Sequence, residues 1–186
     1  MGYLGLDETV VKDENLFQRL FWPSDHAAET DYLGQQGFWI CVGVAVLSLI
    51  VLVVRGEWIS GLLTFAFFAL GGIGVREHSV GAATLVALAF WMNQVSGAIS
   101  GRFPGFLSLA AGCLLLANIR GTYVAARWKL RGDPEAFPER LKTTLKERFV
   151  DQMPMRVWPR ARVGFFILAG IYMLLSIAGV MLLPRH

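Results

Sequence analysis

Charge is in short supply in this chain. Asp, Glu, Lys and Arg make up 17% of its 186 residues, against roughly a quarter in soluble domains. Hydrophobic residues make up 55% and the mean hydropathy is +0.52. The apolar residues are gathered into blocks of membrane-spanning length, which excludes a soluble globule and leaves room for one membrane domain. Cysteine is also sparse. Cys41 and Cys113 lie in apolar blocks without metal-ligand spacing, and two are too few for a disulfide framework, so both read as small buried hydrophobes. His26, His78 and His186 are far apart and make no ligand pattern. There is no GxxxxGK[ST] loop, HExxH, CxxC, GxSxG elbow or acidic metal cluster. No metal site, catalytic residue or cofactor is expected. The first 36 residues are polar and acidic, with no basic n-region and apolar h-region, so a cleavable signal peptide is not expected and the first span serves as its own signal.

The charge that is present is segregated. Residues 1–36 carry seven acids against Lys12 and Arg19, whereas residues 129–162 carry nine bases against five acids. A net charge of +3 can suggest nucleic acid. Here the bases flank apolar segments, so membrane topology and lipid headgroups explain them better, and no nucleic-acid partner is expected.

Five apolar segments follow one another, at about 37–54, 58–75, 79–100, 103–122 and 163–183. The expected fold is therefore all-α: a polytopic membrane protein with a five-helix transmembrane bundle. The alternative has three spans and a re-entrant first hairpin. Two spans in residues 37–75 are preferred, because Arg55-Gly56-Glu57 would otherwise sit deep in lipid. Pro104 suits the first turn of the fourth helix, which is expected to continue to 128 until Gly132-Asp133-Pro134 stops it. Between the spans, 138–153 reads as an amphipathic helix with Leu141, Leu145, Phe149 and Met153 on one face, ended by Pro154. Arg156, Trp158, Pro159, Arg160 and Arg162 mark the return to the membrane, with Trp158 at headgroup depth. Leu16, Phe17, Leu20 and Phe21 suggest a second, short amphipathic helix ended by Trp22-Pro23, and 24–36 reads as a connector.

Placing the basic loop inside, as the positive-inside rule requires, puts the N terminus in the cytoplasm and the C terminus outside, in a bacterial plasma (inner) membrane. Arg76, Glu77, His78, Asn118 and Arg120 then share a layer at the cytoplasmic helix ends. A Glu77–Arg120 pair with His78 as titratable neighbour is expected there, as a proton or anion site or as local pairing at a helix end. Asn93 and Gln94 lie toward the other side of the third helix and suit an interhelical hydrogen bond or a substrate contact. Gly71, Gly72, Gly74, Gly97 and Gly101 permit close helix approach, within the chain or between copies.

The expected role is non-enzymatic: an accessory or scaffolding component of a membrane complex, with lipid bilayer, a membrane-protein partner or a homo-oligomer as its contacts. A small transporter or channel acting as an oligomer is the alternative, resting on the polar positions. A membrane-embedded enzyme is the third.

Overall fold

The computed structural model describes residues 27–131 and 148–181. Its elements are helices α1 (Ala27–Val54), α2 (Trp58–Arg76), α3 (Val80–Ile99), α4 (Phe106–Arg131) and α5 (Met153–Met181), with a single π turn at Arg148–Gln152 before α5. All five helices are long and apolar enough to cross a bilayer, and no strand occurs among the described residues. The chain is an integral membrane protein built as a five-helix bundle.

The bundle is organised around α2. Half of its apolar window is buried inside the bundle, against 17% for α5. It packs on α1, α3 and α5, while α4 closes the other side against α1 and α3. The glycines of α2 explain the close approach. Gly72 lies on Cys41 and the backbone of Phe38 in α1, Gly71 on Val86 of α3 and Phe165 of α5, and Gly74 on Ala82 and Trp158. In a membrane, where tails and side chains are equally apolar, such contact supplies much of the association energy. Facing α2, Trp158, Phe165 and Tyr172 recur every seventh residue along α5. Phe67 is stacked between Phe165 (5.7 Å) and Tyr172 (4.5 Å, 3° between planes).

Helix lengths differ in a way that defines the two ends. At 1.5 Å per residue, α2 and α3 rise about 28–30 Å, one hydrocarbon thickness, whereas α1, α4 and α5 rise about 39–44 Å. The excess of all three lies at the end holding the α2–α3 turn. That end also carries Arg76, Arg120, Arg127, Arg156 and Arg160 and is called the basic end below; the far end has Arg55 and Arg102.

Several boundaries differ from the sequence expectation. The α1 helix begins at Ala27 rather than 37. Polarity does not stop a helix that has left the hydrocarbon, and Glu29 and Asp31 fall in its first turns, where the helix dipole favours acids. The α4 helix begins at Phe106, and Pro104 stands before it instead of in its first turn. The residue before a proline is steered to extended backbone, so Phe103 cannot start the helix.

The largest departure is at α5. It begins at Met153, and neither Pro154 nor Pro159 ends or excludes helix. Pro154 is the second residue of α5, directly after the π turn. Pro159, deeper in, deprives the Met155 carbonyl of its usual donor. Trp158 is 8% accessible, wedged on Gly74 and Phe165. Of the amphipathic stretch 138–153, Leu141 and Leu145 lie outside the described residues, as does the Leu16–Phe21 segment. Phe149 is in the π turn, with its ring 5.9 Å from Phe38 and 6.4 Å from Trp39, and Met153 packs on the core as the first residue of α5.

Candidate functional site

Three tight turns connect helices, and they share one geometry. At the ends of α1, α2 and α3 the chain closes with paired backbone bonds of the Schellman type: Gly56 N–H to Val53 O and Glu57 N–H to Leu52 O; His78 to Val75 and Ser79 to Gly74; Gly101 to Ala98 and Arg102 to Gly97. The residue after the cap must take positive φ. Gly56 (80°) and Gly101 (77°) do so without penalty, but the third position is His78, at 57°. A left-handed non-glycine residue costs roughly 1–2 kcal/mol. Ser79 then caps α3, its Oγ accepting from Ala82 N–H at 3.4 Å.

This turn carries the basic-end cluster. Arg76 and His78 are 2% and 4% exposed, and Asn118 and Thr122 of α4 are 1% and 2% exposed. Glycine in α1 gives them room. A Cβ at Gly34 would stand 3.0 Å from His78 Cε1 and 3.5 Å from Arg76 Nη1; one at Gly37 would stand 2.5 Å from Asn118 Oδ1 and 2.7 Å from Val75 Cγ1. Asn118 donates to Leu114 O (3.0 Å) and Thr122 Oγ1 donates to Asn118 O (2.7 Å), both within α4. Asn118 Oδ1 and Gln36 Oε1 are buried acceptors with no hydrogen-bond partner among the described residues. Asn118 Oδ1 faces the space that a Gly37 side chain would fill. Glu77 is half-buried at the cap of α2, and Arg120 is exposed on α4.

The sequence-derived layer thus places Arg76, His78 and Asn118 in one packed junction. It omitted Gly34, Gln36 and Gly37, two of them in the stretch read as a connector. The signal that could have found them is the repeat Leu33, Gly37, Cys41, Ala45, a four-residue stripe that is buried throughout.

The far end is built differently. Asn93 Nδ2 donates to the Tyr172 hydroxyl at 2.8 Å, joining α3 to α5. Beside this pair lies a cavity of about 400 Å³, lined by Leu47, Ser48, Val51 and Leu52 of α1, Thr64 of α2, Asn93 and Tyr172. A second cavity of about 410 Å³ lies on the opposite side of α3, between Leu88, Trp91, Met92, Val95, Ile99 and Ile177, with Ser96 its one hydroxyl. Gln94, adjacent to Asn93, lines neither.

Between the two ends the helices are apolar. Residues 38–47, 65–74, 85–92, 109–117 and 163–171 contain no charged, amide or hydroxyl side chain. Among the described residues no three His, Cys, Asp or Glu side chains are grouped to hold a metal ion. No protein-family model, curated protein or solved structure matches the chain.

Proposed function

We propose that the chain is a non-catalytic accessory component of a membrane complex. One observation carries this reading: an apolar middle layer, in which Phe67 stacks on Phe165, separates the polar groups of the two ends. A transporter or proton path built in one copy would need polar groups or water through that layer. The same layer suits a bundle whose purpose is to hold shape. In this reading Arg76, Glu77, His78, Asn118 and Arg120 brace the junction of α1, α2 and α4, and Glu77 pairs with Arg120.

The orientation proposed with it puts the basic end, and so the N terminus, in the cytoplasm of a bacterial plasma membrane. The arginine distribution between the two ends supports it. Reporter fusions at Glu57, Arg102 and the C terminus are expected to read external at all three.

Purification of the full chain in mild detergent tests the role. A stoichiometric second membrane protein is the expected result. A homo-oligomer that conducts solute after reconstitution into vesicles would overturn it.

A further inference from the structure

We infer that the far-end cavity binds a neutral, carbonyl-bearing lipophile drawn from the membrane, one molecule per chain. The cavity has the size and mixture of a small-molecule site, mostly apolar with a few convergent polar groups. Those groups are Ser48, Thr64, Asn93 and Tyr172, contributed by four different helices. None is Asp, Glu, Lys, Arg or His. A charged ligand would enter a low-dielectric site with no counter-ion, at a cost of several kcal/mol or more.

The donor inventory sharpens the chemistry. Asn93 and Tyr172 share one hydrogen bond, and whichever of the two donates it, the pair keeps further N–H or O–H donors for another acceptor. The phenol is held in place by its parallel stack on Phe67 at 4.5 Å. The site therefore presents a fixed polar donor, with the hydroxyls of Ser48 and Thr64 in the same cavity. A carbonyl oxygen is the complementary group.

Depth selects among carbonyl compounds. Ser48, Thr64 and Asn93 each lie about 9 Å along the helix from the far-end termini of α1, α2 and α3, taking 1.5 Å per residue. This is inside the hydrocarbon layer, below the boundary where the ester carbonyls of glycerolipids are anchored by their headgroups. A ring carbonyl on an apolar tail is free to descend to that level. Leu47 and Val51 on the rim are 65% and 48% exposed, so the mouth opens sideways to lipid. The apolar cavity across α3 has no comparable donor set and suits a plain acyl chain.

The test uses the full chain, delipidated in detergent, with 2-decyl-1,4-benzoquinone as probe and native mass spectrometry as readout. One quinone per chain is expected. Tyr172→Phe, which keeps the aromatic stack, is expected to weaken binding about three- to tenfold, the worth of one such bond in a membrane protein. Val51→Trp, at a half-exposed rim position where folding is retained, is expected to abolish it. Dodecylbenzene, which lacks the carbonyl, is expected not to compete. Equal binding by wild type, Tyr172→Phe and Val51→Trp would overturn the inference, as would the absence of a one-to-one adduct. Competition by dodecylbenzene would reduce the site to an apolar crevice. Displacement by equimolar dioleoylphosphatidylglycerol would assign it to a structural glycerolipid instead. None of these outcomes depends on whether the chain has a protein partner.

Discussion

The two ends of the bundle solve the same problem, joining tilted helices around α2, by opposite means. At the basic end the polar side chains are buried against backbone: Gly34 of α1 gives room to Arg76 and His78, and Gly37 to Asn118. At the far end one hydrogen bond, Asn93 to Tyr172, crosses between helices, and about 400 Å³ beside it is left unfilled. The difference teaches where rigidity and adaptability are placed. Small residues remove volume only where another side chain takes it up. Gly164, Gly170 and Gly179, spread along α5, have nothing within 4 Å of an added Cβ. They mark a surface that lipid or a partner covers rather than a packed seam.

The contrast can be broken most severely at Gly37. Gly37→Val would drive a branched side chain into Asn118 and Val75. Both neighbours are nearly inaccessible, so the strain cannot escape by rotamer change, and a loss of about 3 kcal/mol or more is expected. Gly170→Ala, by the same bookkeeping, should gain up to about 0.5–1 kcal/mol through helix propensity alone. Unfolding in mixed micelles with increasing denaturing detergent measures both. Equal effects at the two positions would end the distinction between a packed seam and an open face.

Trp158→Ala probes whether the basic end is held from α5 as well. The indole fills the space over Gly74 and touches Phe165. Truncating a buried tryptophan costs about 3–5 kcal/mol in soluble proteins. Here a loss of about 2–3 kcal/mol is expected, because transfer of the side chain into lipid carries no hydrophobic penalty. The same unfolding measurement would sink the argument if the variant were indistinguishable from wild type.

His78 allows a finer cut. His78→Ala and His78→Gly both remove the imidazole, but only glycine relieves the positive φ. The glycine variant should therefore be the more stable of the two by about 1 kcal/mol, and Gly101→Ala should lose a similar amount against wild type. If the two His78 variants unfold together, the turn is not strained and histidine is held there for no backbone reason.

Much of this architecture is legible in the sequence because span length and hydropathy are set by the bilayer itself. The five helices and the basic clustering near one end follow from that constraint. Where the chain leaves the hydrocarbon the constraint lapses. Glu29, Asp31, Gln35 and Gln36 lower the hydropathy and so suggest a connector, although they are compatible with helix, and α1 runs through them. Pro154 reads as the end of the amphipathic helix, yet it is the second residue of α5, and Pro159, read as part of the return to the membrane, lies inside that helix. The candidate sites divide in the same way. That Arg76, His78 and Asn118 share a layer follows from counting residues to the helix ends. Which glycine they press against depends on helix rotation, which hydropathy does not encode. For the same reason Tyr172 was visible as a polar residue in the fifth span without being recognisable as the partner of Asn93, 79 residues away.

That pair supplies the smallest and most discriminating test of the comparison. A double-mutant cycle of Asn93→Leu and Tyr172→Phe isolates the interhelical bond from the packing of either side chain. Hydrogen bonds measured this way in membrane proteins average about 0.6 kcal/mol, because the unfolded helices find other partners in the bilayer. A coupling near that value is expected in unfolding, well below the steric cost at Gly37. A coupling above about 2 kcal/mol would mean that the far end is locked as firmly as the basic end, and the idea of an adaptable half would fail. A small coupling has the opposite consequence. It leaves Asn93 and Tyr172 contributing little to the fold, so that a polar pair kept at that depth in the hydrocarbon requires a use other than stability.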